Sequence, residues 1–156
     1  MRRTLVRLFR FAPALGIVAA LAFPTTALAS GSSIQVVSAH LIAKGVAVNL
    51  TISYTCPAGY VLPAGGFASG FSVQVQEAVS KTRQAFGSAS TGGQSCGDGI
   101  TPQTVVIPVL SSVTGPPFRT GPAVVIASIL ACPAEDPNCF TYSAATTGVI
   151  VVRISK

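Results

Sequence analysis

A strict alternation of side-chain type over positions 46–56 constrains the fold of this chain more than any other feature. The residues of one parity are apolar or aromatic (Val46, Val48, Leu50, Ile52, Tyr54 and Cys56), and those between them are small or polar. A period of two places the first set on one face of an extended strand, which predicts a half-buried β-strand. Positions 71–76 repeat the pattern, with Phe71, Val73 and Val75 inward.

Further β-rich segments follow over the rest of the chain. Five further β-rich runs lie at 34–43, 84–90, 104–110, 123–132 and 148–154, separated by turn-forming Gly, Pro and Asp residues. Seven short strands without helical periodicity predict an all-β protein, a single antiparallel sandwich. The sixth run is apolar on both faces, which indicates a central strand or an interface. Pro108 predicts an edge strand or a bulge.

The N-terminal residues have the pattern of an export signal. A basic segment precedes 13 apolar residues at 11–23, and small residues follow up to Ala29. The apolar stretch is shorter than the roughly 20 residues that cross a bilayer. We therefore expect a signal peptide at 1–29, cleaved before Ser30, and one secreted sandwich domain at 30–156 without a stable membrane anchor. The compartment would be extracellular, or periplasmic in a host with an outer membrane.

The net charge of +6 depends on that segment, because four of the ten basic residues lie within the first ten positions. All four acidic residues lie beyond position 76, so removal of the signal leaves six basic and four acidic side chains and a net charge of +2. Such a balance argues against nucleic acid as the partner.

Four cysteines in an oxidising compartment predict two disulfides. Zinc is not expected, since no C-x-x-C spacing occurs. Cys132 ends the sixth run and Cys139 begins the seventh, so we favour a bond across that hairpin, which leaves Cys56 to pair with Cys96. The alternative is an inter-sheet Cys56–Cys132 bond with Cys96–Cys139, but immunoglobulin domains pack a Trp on that bond and this chain has none.

Residues with catalytic potential are few. His40 is the only histidine, and a Ser-His-Asp site would depend on it. Glu135 and Asp136 are the only adjacent carboxylates, and with Asn138 they supply three oxygen ligands for a weak calcium site. We interpret these as loop-solvating residues and expect no catalytic residues, no metal and no cofactor. The chain is accordingly predicted not to be an enzyme.

Several fragments carry a resemblance to a known group. These are YTCPAG at 54–59, QSCGDG at 94–99, FRTGPA at 118–123 and the late Cys132…Cys139 hairpin. Together they resemble small exported proteins of the actinobacterial type with an immunoglobulin-like sandwich, and more loosely the neocarzinostatin group of chromophore-carrying sandwiches. The resemblance implies a fold and a compartment but no ligand-binding residues.

The leading functional hypothesis is a non-catalytic secreted binding or structural module that contacts its partner through loops or a sheet face. The partner would be a protein, the cell surface or a small molecule. Candidate contact residues are Tyr60, Phe67, Phe118 and Arg119. One alternative is a small-molecule carrier with an apolar cleft, and another is a protease inhibitor that presents the 132–139 loop.

Overall fold

The computed structural model describes residues 31–65, 68–136 and 138–156, and strands make up most of these ranges. The strands are β1 (Ser33–Ile42), β2 (Ala47–Thr55), β3 (Tyr60–Val61), β4 (Ala64–Gly65), β5 (Ala68–Ser69), β6 (Phe71–Ala78), β7 (Gln84–Thr91), β8 (Gln103–Leu110), β9 (Gly121–Pro133), β10 (Ser143–Thr146) and β11 (Ile150–Ser155). A short 3-10 turn, Ala43–Gly45, joins β1 to β2. The predicted signal peptide, its cleavage point at Ala29 and Ser30, and Phe67 lie outside the described residues.

The long strands form one curled sheet in the order β7-β6-β9-β11-β1-β2-β8. Its two ends meet, because Gly87 of β7 bridges to Ser111 and the Ser112 N–H donates to the Phe86 carbonyl at 2.7 Å. The half made of β8, β2 and β1 therefore faces the half made of β7, β6, β9 and β11. Of the seven long strands, the first, second and fifth share one half, as strands A, B and E do in an immunoglobulin-like sandwich, while the fourth lies in the other half. The all-β prediction is confirmed.

One pairing corrects the prediction that the sheet is purely antiparallel. β1 and β11 pair in parallel, with Ala39 opposite Ile154 and His40 opposite Ser155. The seven long strands alternate in direction, so the first and the seventh point the same way. When the curled sheet brings these two strands together, they can pair only in parallel. The sheet is therefore mixed.

The core lies between the two halves and consists of the inward rows of their strands. Val48, Leu50 and Ile52 of β2 are fully buried, as are the predicted inward residues of β6. The rings of Tyr54 and Phe71 meet edge to face across the core, with their centroids 4.9 Å apart. Val46 departs from the prediction and is exposed. Its backbone is helical (φ −65°, ψ −29°) because it still belongs to the turn, so the strand begins one residue later, at Ala47, and the predicted inward row begins at Val48.

The end of the sequence holds one strand more than predicted. Cys132 lies in β9, but Cys139 belongs to a loop and does not begin the next strand, because β10 intervenes at Ser143–Thr146. β10 pairs with β9 beyond the segment that pairs with β11. β9 is therefore flanked on both sides, as its apolar character predicted. Pro108 is exposed on β8, the last strand of the sheet order, in agreement with an edge position.

Two disulfides, Cys56–Cys96 and Cys132–Cys139, cross-link the fold, and this is the pairing that the strand map favours. Among the described residues no helix is long and apolar enough to span a membrane. The two disulfides are compatible with a secreted protein.

Candidate functional site

The two ends of the sandwich carry different chemistry. Successive long strands alternate in direction, so the connections 56–70, 92–102 and 134–149 lie at one end and 43–46, 79–83 and 111–120 at the other. The first is named the disulfide end, because both disulfides lie there. The second is named the basic end, for its lysines and arginines: Lys44, Lys81, Arg83, Arg119, Arg153 and Lys156.

The loops of the disulfide end are tied to one another. The Cys56–Cys96 bond joins the end of β2 to the connection that precedes β8, with a Cα–Cα distance of 5.3 Å. The Cys96 N–H donates to the Tyr60 carbonyl at 3.0 Å, and the Ala134 N–H donates to the Gly59 carbonyl at 3.0 Å. The three connections of this end therefore form one continuous surface.

A glutamine holds the 92–102 connection against β2. The side-chain amide of Gln103 is oriented so that its nitrogen and its oxygen both have hydrogen-bond partners. The nitrogen donates to Tyr54 Oη at 3.0 Å and to the Ser95 carbonyl at 3.1 Å, and the oxygen accepts the Gly97 N–H at 3.2 Å. Tyr54 is buried, and loss of solvation raises the pKa of its hydroxyl. The tyrosine therefore stays neutral and serves as a fixed anchor for the loop.

Asp98 organises the tip of the same connection. Its Oδ1 accepts the N–H groups of Ile100 (2.9 Å) and Thr101 (2.8 Å), and its Oδ2 accepts the Thr101 hydroxyl at 2.6 Å. These bonds favour the charged carboxylate, and the Thr101 hydroxyl is the largest contributor in lowering the pKa of Asp98 to about 2. The cap holds the loop in a shape that leaves Ile100 83% exposed.

Asp136 has the same function in the Cys132–Cys139 loop. Its Oδ1 accepts the Asn138 N–H at 3.2 Å and its Oδ2 accepts the Thr141 N–H at 3.1 Å. Both carboxylate oxygens thus bind amides of their own loop, which does not favour the calcium site considered from the sequence. In the described part of the chain, no three His, Cys, Asp or Glu residues are grouped as metal ligands.

The same loop exposes two aromatic side chains. Phe140 and Tyr142 lie between Cys139 and β10, and their side chains are 85% and 62% exposed. Together with Ile100, they are large side chains exposed to solvent on loops that are fixed by disulfides and carboxylate hydrogen bonds. Exposed aromatic groups on rigid loops are typical anchors of protein contacts.

The predicted contact residues are divided between the two ends. Tyr60 lies at the disulfide end, where it is half-buried and its strand pairs with β9. Phe118 and Arg119 lie at the basic end, and Phe118 is not a contact residue: it is buried in the core, its N–H bonded to the Gly45 carbonyl at 2.8 Å. Gly45 and Gly87 leave the space that its ring and backbone occupy, a feature that the strand pattern does not reveal.

The basic end was not predicted from the sequence. All six lysine and arginine side chains of the described residues lie there, and each is exposed. One acidic side chain of the described residues shares this end, that of Glu77, which is only 4% exposed and accepts the Arg119 N–H at 2.7 Å. The remaining acids, Asp98, Glu135 and Asp136, lie at the disulfide end. The molecule is therefore electrically polarised along its strands.

His40 has a serine partner but no carboxylate partner. Its Nδ1 lies 2.8 Å from Ser155 Oγ on the exposed outer face, and the same hydroxyl donates to the Ala39 carbonyl at 3.2 Å. The described carboxylates lie elsewhere, three at the opposite end and Glu77 inside the fold. A Ser-His-Asp arrangement is thus not assembled among the residues described.

A groove of about 310 Å³ lies on the outer face, where β9 pairs with β10. Its lining includes Ser69, Ser128, Leu130, Ala144 and Thr146, which are mostly small side chains. It lies outside the core, between strands and not between the two halves of the sandwich. This groove is therefore not the apolar cleft between sheet and loops that a carrier would need.

The chain was compared with known proteins at the levels of family, sequence and structure. No protein-family model matches it, and no curated protein or solved structure does so either. The geometry of the two ends is accordingly the basis on which function is inferred.

Proposed function

We propose that this chain is an exported, non-catalytic binding module whose disulfide end contacts a protein partner at the cell surface or in the medium. The observation that carries the proposal is the exposure of Ile100, Phe140 and Tyr142 on loops held by two disulfides. Export is supported by the signal pattern at 1–29 and by the disulfides. The non-catalytic role is supported by the scarcity of side chains suited to catalysis.

Rigidity is what makes these side chains suitable as anchors. A binding surface that must be ordered on association loses part of its contact energy to conformational entropy. Here the carboxylates of Asp98 and Asp136 already fix the backbone beside each exposed group. A partner can bury the aromatic rings at little further entropic cost.

The two other functions considered from the sequence have less geometric support. The groove on β9 is lined mostly by small side chains and lies on the surface, which does not favour a carrier. The Cys132–Cys139 loop is folded back on itself by the bond from the Asp136 N–H to the Pro133 carbonyl (3.0 Å), which does not favour an extended inhibitory loop.

The test is native mass spectrometry of the protein exported by its own host. Wild type should carry a protein partner at a fixed stoichiometry, and Phe140→Ala/Tyr142→Ala should lose it while retaining the far-UV circular dichroism of the wild type. Val113→Ala is the control, because Val113 is another exposed apolar side chain but lies at the opposite end. A bound small molecule in place of a protein, or a partner retained by the double variant, would overturn the proposal.

A further inference from the structure

Exposed aliphatic side chains accompany the cations of the basic end. Val113, in the 111–120 connection, is completely exposed, and Leu110 and Val46 are more than half exposed. These groups are neighbours, because Leu110 is paired with Ala47 and the Ser111 N–H donates to the Val46 carbonyl at 2.8 Å. They form an apolar tip, defined as Val46, Leu110 and Val113.

The apolar tip is next to the positive charges. Lys44 lies two residues from Val46 in the turn between β1 and β2, while Arg119 ends the connection that carries Val113. Lys81 and Arg83 occupy the neighbouring hairpin turn. Three separate elements thus place cations around a protruding aliphatic group.

We propose that the basic end docks on an anionic lipid surface, with its lysine and arginine side chains at the headgroup phosphates and the apolar tip at the acyl boundary. Cations attract a negatively charged leaflet, and apolar side chains then gain by leaving water. The carboxylate of Glu77 is turned into the fold, while the other acids lie at the far end, so the approaching face presents positive charge.

The aliphatic groups are the reason to favour lipid over a soluble polyanion. A nucleic acid or a wall polymer offers phosphates to the cations but no apolar phase to Val113, whose side chain would stay in water. Single-strand binding sites instead place aromatic rings for bases to stack on. The basic end combines charge with an aliphatic tip, which fits the interface of a membrane.

The experiment is co-flotation of the exported protein with vesicles. Binding should be strong on 30% phosphatidylglycerol in phosphatidylcholine at 0.1 M NaCl and absent on phosphatidylcholine alone. It should fall steeply at 1 M NaCl, because the screening length shortens from about 10 Å to about 3 Å. A competing excess of inorganic phosphate should have little effect, since the site recognises a surface and not a free anion.

Two variants test the two halves of the proposal. Lys81→Gln/Arg83→Gln should weaken binding roughly 25-fold at 0.1 M NaCl, from about fivefold for each cation near the surface. Val113→Ala should weaken it by up to about 15-fold, from about fourfold for each withdrawn carbon. Both sites are exposed at turns, so circular dichroism should be unchanged.

The matched control adds the same net charge of −2 elsewhere. Ala134→Glu/Asn138→Asp places two carboxylates at the disulfide end, on exposed positions, and should leave vesicle binding within about twofold. Equal loss in this control would show that only net charge matters and would overturn the assignment. Binding to polyphosphate without binding to vesicles, or salt-dependent head-to-tail association of the protein alone, would overturn it as well.

Discussion

Removing the Cys56–Cys96 bond should destabilise the fold more than removing Cys132–Cys139. The perturbations are the paired variants Cys56→Ala/Cys96→Ala and Cys132→Ala/Cys139→Ala. The bonded residues are 40 and 7 positions apart, so the closed loops contain 41 and 8 residues. The chain-entropy relation then gives about 4 kcal/mol for the first bond and about 2.5 kcal/mol for the second.

Burial increases the difference. Cys56 and Cys96 are both buried in the core, whereas Cys139 is only half-buried. Alanine at the first pair leaves a small void between the sandwich and its covering loop, which adds about 1 kcal/mol. The first variant should therefore lose about 5 kcal/mol of unfolding free energy, roughly twice the loss of the second.

Urea denaturation followed by circular dichroism measures both losses. The urea dependence of the free energy should also steepen more for the first variant, because its unfolded chain gains more exposed surface. The loops do not overlap in sequence, so the losses should be close to additive. An equal or larger loss on removing Cys132–Cys139 would refute the reasoning.

Three further perturbations follow from individual contacts. Because the pKa of Asp98 is lowered to about 2, its carboxylate bonds are fully present above pH 4 and are lost as the pH falls towards 2. The protection factor of the Thr101 amide, which corrects the hydrogen-exchange rate for its intrinsic pH dependence, should therefore fall in that window in the wild type and stay constant in Asp98→Asn. Gly45→Ala should cost about 1–3 kcal/mol in thermal unfolding, since φ is +94° and a Cβ would overlap the Phe118 carbonyl oxygen, while Gly59→Ala, with open space, should cost less. Glu77→Ala should cost about 2 kcal/mol in urea unfolding by removing the acceptor of the part-buried Arg119 backbone amide, and Glu77→Gln should recover part of that loss.

The polarity of the molecule follows from the sequence once the strand count is known. In seven strands of alternating direction, odd-numbered connections lie at one end and even-numbered connections at the other. Lys44, Lys81 and Arg119 fall in the first, third and fifth connections, while Asp98 and Glu135 fall in the fourth and sixth. Whether a connection is odd- or even-numbered therefore decides at which end its charges lie. The basic end could have been predicted by numbering the connections of the seven predicted strands in this way.

Other features depend on contacts that no local pattern encodes. Phe118 lies in a Pro-rich connection that reads as a surface loop, but the absence of side chains at Gly45 and Gly87 opens the core to it. β10 consists of small residues without apolar alternation and is a strand because the long β9 offers it an unpaired edge. The exposure of Phe140 likewise depends on how Asp136 folds its loop.

The distribution of charge also links the two proposed surfaces. β1 has ten residues, so the ends of the sandwich are separated by roughly 30 Å. That is about three screening lengths at 0.1 M salt, and charge changes at one end should therefore leave the other undisturbed. A negative leaflet attracts the end with Lys44 and Arg119 and repels the end with Asp98 and Glu135, which orients the molecule before any contact forms. Docked in this way, the module holds Phe140 and Tyr142 away from the lipid and open to a partner in solution.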